Sequence, residues 1–133
     1  MINKTVGGYY GSELNKFVDE NCNHEMTAMN IDLIMHKEYK KSIRIIESKR
    51  STEGMKTGQR KLLKLLAGCQ DAISAATGYT FEVFIIYGDP PYHTANIMRL
   101  KDDKVATVDK NILIKFLEFE IPFEQIVPME LPL

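Results

Sequence analysis

Residues 29–49 read MNIDLIMHKEYKKSIRIIESK, and the fold turns on how the two halves of this stretch pair. Met29 to His36 and Ser42 to Lys49 are both strand-like, and the polar run Lys37-Glu38-Tyr39-Lys40-Lys41 stands between them. A turn centred between Tyr39 and Lys40 makes a hairpin in which Asp32 lies directly across from Glu47. Directly opposed side chains have Cβ atoms about 4.5–5.5 Å apart, and like charges there destabilise the sheet. Two carboxylates at that spacing repel by roughly 3 kcal/mol at an effective dielectric near 20. Set against a domain stability of about 5–15 kcal/mol, that is a sizeable share. The pair therefore predicts a positive partner. Lys49, two residues beyond Glu47 and on the same face, is one candidate. A divalent cation is the other.

Outward from the hairpin, Ser12 is placed to cap a short helix running to about Glu20, with Leu14, Phe17 and Val18 as its apolar side. On the C-terminal side, the polar loop Ser51 to Gly58 leads into a long helix expected from about Gly58 to Ala76. Leu62, Leu66, Cys69, Ile73 and Ala76 recur there as one buried stripe. Gly78 is placed to end the helix. Tyr79 to Tyr87 is a near-continuous apolar run, as in a strand buried on both faces. A second hairpin, about Thr94–Leu100 and Val105–Val108, precedes a helix capped by Asp109. Ile121–Leu133, with three prolines, reads as an extended tail. The order is α-β-β-α-β, then a β-hairpin and a C-terminal helix: an α/β (α+β) layout in which a mixed β-sheet is flanked by helices.

With 133 residues, the chain is most simply one domain with a sizeable core. Cys22 and Cys69 have neither metal-ligand nor disulfide-framework spacing, which points to a reducing compartment. No apolar run approaches a membrane span, and Met1 to Tyr10 lacks the apolar core of a signal peptide. These features predict an intracellular, cytoplasmic protein with no membrane partner. Net charge is −1, yet from Lys37 to Lys64 ten Lys/Arg stand against three Asp/Glu, between acidic flanks. Such a block suits a phosphate backbone, or is simply a solvated hairpin and helix face. Arg50, Lys56, Arg60, Lys61 and Lys64 are its candidate phosphate contacts. His24, His36 and His93 share no ligand spacing, and His36 reads as a structural or surface residue.

Phosphodiester hydrolysis at neutral pH needs an activated water and neutralisation of charge on the phosphoryl group, and a divalent metal supplies both. Mg²⁺ takes oxygen ligands, typically one or two carboxylates with waters and phosphate. Asp32 and Glu47 can be those carboxylates, with the Ser48 carbonyl close enough to join them. Lys49 can orient or help deprotonate the water, or stabilise the developing charge.

Helix, Asp on a hairpin, Glu47-Ser48-Lys49, then helix: this pattern resembles the PD-(D/E)XK nuclease superfamily, and within it the small VRR-NUC and Holliday junction resolvase types. The resemblance covers about residues 7 to 87. It implies a restriction-endonuclease-like core, with Asp32 and Glu47 on Mg²⁺ (Mn²⁺ as substitute) and Lys49 serving the nucleophile. It further implies Glu13 on the first helix as an additional metal ligand, and Gln59, on the helix after the motif, near the scissile phosphate. Ile31 stands where the motif's proline would be, a position that varies widely in the superfamily. The implied activity is that of an endonuclease acting on DNA, branched or structured DNA included, with RNA left open. Small stand-alone members, phage enzymes among them, often work as homodimers. The competing readings are a non-catalytic nucleic-acid- or protein-binding module on the same fold, and a surface ion-pair cluster of Asp32, Glu47 and Lys49.

Overall fold

The structure is a computed structural model that describes residues 13–22, 31–51, 54 and 57–128. The chain divides into two compact units, Met1–Asn30 and Ile31–Leu133. In the first, helix α1 (Glu13–Asn21) carries Glu13 in its first turn. The Asn21 side chain closes its end by donating to the Phe17 carbonyl at 2.9 Å. Ser12, the expected cap, lies outside the described residues, as does His24.

The second unit is built on a five-stranded mixed sheet whose strands lie in chain order: β1 (Leu33–Lys37), β2 (Ser42–Lys49), β3 (Thr80–Tyr87), β4 (Thr94–Arg99) and β5 (Lys104–Asp109). Every neighbouring pair is antiparallel except β2 and β3, which run parallel. Helices α2 (Thr57–Gly68) and α3 (Gln70–Thr77) make the crossover that a parallel pair requires. Helix α4 (Lys110–Leu117) follows β5. With α1, the described residues hold four α-helices, and the class is α+β. Among them no helix is long and apolar enough to cross a membrane.

The first hairpin has the expected register, with Leu33 opposite Ile46 and Lys37 opposite Ser42. Its turn is a short 3₁₀ segment, Glu38–Lys40, closed by Lys41 in the left-handed region (φ 50°), whose N–H returns to the Glu38 carbonyl at 2.9 Å. On β3, Val83, Phe84, Ile85 and Ile86 are all buried, as the unbroken apolar run predicts for a central parallel strand. Alternation sends Phe84 and Ile86 to one face, where they join Ile46, Ile97, Leu113, Phe116 and Phe123 in the main core. Phe116 meets Phe84 edge-on at 5.0 Å between ring centres. Ile45, Glu47, Lys49, Val83 and Ile85 point to the opposite face, which α2 and α3 cover. The Asp109 side chain caps α4 as expected, accepting from the Ile112 N–H at 2.9 Å.

Two expectations are corrected. The single helix from Gly58 to Ala76 is two helices. Gly68, a poor helix former, precedes Cys69, where the ladder tightens to a bond from Cys69 N–H to the Leu66 carbonyl (3.1 Å) and Cys69 turns to φ −93°, ψ −2°. The buried stripe is Leu63, Ala67 and Gln70, one residue round from the expected one, while Cys69 and Ala76 are exposed. The tail is not simply extended either: Phe123–Gln125 forms a 3₁₀ turn, and Phe123 is fully buried against Phe84 at 5.5 Å.

Candidate active site

Asp32 sits one residue before β1, and its exposed carboxylate is fixed by main chain and side chain together. Ser48 donates to Asp32 Oδ2 from its N–H (2.9 Å) and from its hydroxyl (3.0 Å). Thus Ser48, expected to contribute a carbonyl to a cation, also orients the first carboxylate through its two donors.

Glu47 lies across the hairpin, 4% exposed, and its Oε1 has no hydrogen-bond partner. Lys49 Nζ stands 3.7 Å from Glu47 Oε2. Burial, first, and then hydrogen bonding and repulsion from the Asp32 carboxyl push the Glu47 carboxyl from 4.5 up to about 7, against the opposing pull of Lys49. Of the two candidate positive partners, then, Lys49 is present but does not offset the burial of Glu47. An orphaned buried carboxylate oxygen costs several kcal/mol when ionised. It is also the atom a hard cation would use.

Lys49 itself is largely buried, its side chain 13% exposed, and it donates to Gln59 Oε1 at 3.4 Å. Gln59 is in the first turn of α2, so the helix after the motif reaches back over the end of β2. Asp32, Glu47, Lys49 and Gln59 are therefore brought together, as is Ser48. Glu13 belongs to the other unit, on α1. Two carboxylates and a carbonyl fit Mg²⁺ or Mn²⁺, which complete their shells with water and phosphate. They do not fit a structural zinc site, which needs four ligands. Among the described residues no group of three or more His, Cys, Asp and Glu converges.

The basic set is less free than the charge count suggests. Arg60 and Lys64 both reach Asp103 in the β4–β5 turn, at 3.4 and 2.7 Å. Arg50 lies 4.0 Å from Asp89. Lys61 is exposed, and Lys56 lies outside the described residues. Arg44, counted in the basic block, is buried. It pairs with Glu82 at 3.7 Å, packs between Phe116 and Phe119 at 4.2 and 4.3 Å, and donates to the Phe116 carbonyl. His36 is an exposed surface residue bonded to Glu38 at 3.0 Å, and His93 is exposed as well. Nothing local marks Asp89 and Asp103 as partners of these cations, because each acts across 39 residues or more of chain.

Comparison with protein-family models, with curated proteins and with solved structures returned no match.

Proposed function

We propose that this chain is a metal-dependent nuclease of PD-(D/E)XK type, with a restriction-endonuclease-like core and DNA as its substrate. The observation that carries the reading is Glu47: a buried carboxylate with one unpartnered oxygen, beside Asp32 and within 3.7 Å of a lysine that α2 holds through Gln59. The topology supports it, with an antiparallel hairpin bearing Asp and Glu-x-Lys, a helical crossover, and a third strand parallel to the second. Mg²⁺ or Mn²⁺ held by Asp32, Glu47 and the Ser48 carbonyl would supply charge neutralisation and an acidified water.

The chain's own groups have separable tasks. Ser48 holds Asp32 in one orientation, which removes the entropy cost of ordering it when substrate arrives. Burial keeps Glu47 dry, so its charge acts at low effective dielectric. Lys49 carries a fixed cation, positioned by Gln59, that can hold a phosphoryl oxygen and stabilise the charge that grows on it. Lys61, exposed on α2, would take a flanking phosphate.

The test is incubation with supercoiled plasmid, four-way junction, single-stranded DNA and RNA, in Mg²⁺ or Mn²⁺ and in EDTA. Metal-dependent cutting is expected, with Lys49→Ala and Glu47→Ala each losing at least about 10²-fold, the typical cost of removing a preorganised charge-stabilising group. Cutting that survives both substitutions would refute the site. Tight binding without cutting in any metal would favour a binding module, and cutting confined to RNA would reassign the substrate.

A further inference from the structure

Lys49 is the first member of a row that crosses the sheet. Its partner on β3 is Tyr87, Tyr87 pairs with Asn96 on β4, and Asn96 pairs with Thr107 on β5. Paired residues share a sheet face, so Tyr87, Asn96 and Thr107 lie on the face that carries Glu47 and Lys49, at steps of about 5 Å. The Thr107 hydroxyl donates to Asn96 Oδ1 at 2.6 Å, which ties the last two members together.

Tyr87, Asn96 and Thr107 line a cleft of about 410 Å³, walled by Ser51 and by the turn from Gly88 to His93. That volume falls within the roughly 300–1,000 Å³ of small-ligand clefts. The turn is held against the motif strand, because the Gly88 N–H donates to the Lys49 carbonyl at 2.9 Å. A side chain at Gly88 would meet Tyr92 Cδ1 at 3.2 Å, so the glycine lets this wall approach.

The lining selects against phosphate and for a base. Among the described residues it holds no Lys or Arg, and it includes Asp89, whose carboxylate lies 4.0 Å from Arg50. With Oδ1 occupied by Thr107, Asn96 offers its Nδ2 hydrogens, donors suited to a base carbonyl or ring nitrogen. Tyr87 and His93 bring aromatic rings, and stacking on such rings is how unpaired bases are held. The cleft begins one strand spacing from Lys49, within reach of the base of a nucleotide whose phosphate sits at that lysine.

We propose that this cleft is a nucleobase subsite. It takes the unpaired base of the nucleotide flanking the scissile phosphate and sets the base preference next to the cut. The proposal rests on the nuclease reading, and its test separates the two. A randomised single-stranded oligonucleotide pool is digested in Mg²⁺ and the product ends are sequenced. A base bias at one position beside the cut is expected. In Asn96→Ala the bias collapses, and kcat/KM on the preferred sequence falls about tenfold, as for loss of a specific base contact. Thermal unfolding of the variant within a few degrees of the parent shows that the loss is not one of folding. Cutting with no positional bias, or a bias unchanged in both Asn96→Ala and Thr107→Val, overturns the subsite and leaves the nuclease standing. If no substrate is cut, the nuclease reading falls. The cleft is then judged by amide-shift titration of the full chain with the four nucleoside monophosphates. Shifts centred on Tyr87, Asn96 and Thr107 retain the base site, and their absence overturns it.

Discussion

Replacing Glu47 by Gln should make the metal-free protein more stable, although the residue is placed at the centre of the site. The carboxyl is 4% exposed, with one oxygen unpartnered, and is raised from 4.5 to about 7. Ionising it in the folded chain is therefore costlier than in the unfolded chain by about 3 kcal/mol. That shift is already net of the attraction to Lys49, so Glu47→Gln should gain roughly 3 kcal/mol above neutral pH. For a chain of this size that is about 9–12 °C in Tm. The sign with pH follows from linkage. Between the unfolded value of 4.5 and the folded value of about 7, the folded state holds the extra proton. Stability from this group is thus full below the lower value and lost as pH rises through the upper one. Thermal unfolding by circular dichroism in EDTA, at about pH 5 and about pH 8, should show the parent losing ground and Glu47→Gln losing much less. Mn²⁺ at a hundredfold over its Kd should restore about 2.7 kcal/mol to the parent and little to the variant. A Glu47→Gln protein that is no more stable than the parent at high pH in EDTA would refute the claim that Glu47 is a buried, uncompensated carboxylate.

Arg44→Ala leaves the partly buried Glu82 without its cation and empties the space between Phe116 and Phe119, and should cost about 3–5 kcal/mol, read as a lowered urea midpoint, with Arg44→Met combined with Glu82→Gln recovering most of it. Asp109→Ala removes the cap of α4 and should cost about 1 kcal/mol, or 3–4 °C in Tm. Asp103→Asn, which keeps a residue suited to the left-handed backbone there (φ 59°), frees Arg60 and Lys64 from exposed pairs, so stability should change by less than about 1 kcal/mol. DNA affinity should rise severalfold at low salt by fluorescence anisotropy, with a steeper salt dependence. An unchanged salt slope would remove these two residues from the phosphate track.

What the amino-acid sequence determined by itself was short-range. Two strand-like runs and a turn centred between Tyr39 and Lys40 set the hairpin register, and that register alone puts Asp32 opposite Glu47. The unbroken apolar run of β3 announced a strand covered on both faces, and Asp109 announced a helix start, because a cap acts within three residues. The break at Gly68-Cys69 left a weaker trace, and a stripe misplaced by one residue shows how little a helix of mixed apolar spacing fixes its own rotation. Tertiary packing settled that rotation by burying Leu63, Ala67 and Gln70. Tertiary structure alone decided the character of the candidate site. Glu47 is buried and orphaned because α2 returns over the end of β2 and seats Gln59 on Lys49. Arg44 leaves the basic surface because Phe116 and Phe119, more than 70 residues on, close over it. Asp103 claims Arg60 and Lys64 from a turn some 40 residues away. Charge counting along a chain registers sign and number. Whether a charge faces water, a carboxylate or a ring depends on which distant segments pack against it, and burial is a property of that packing.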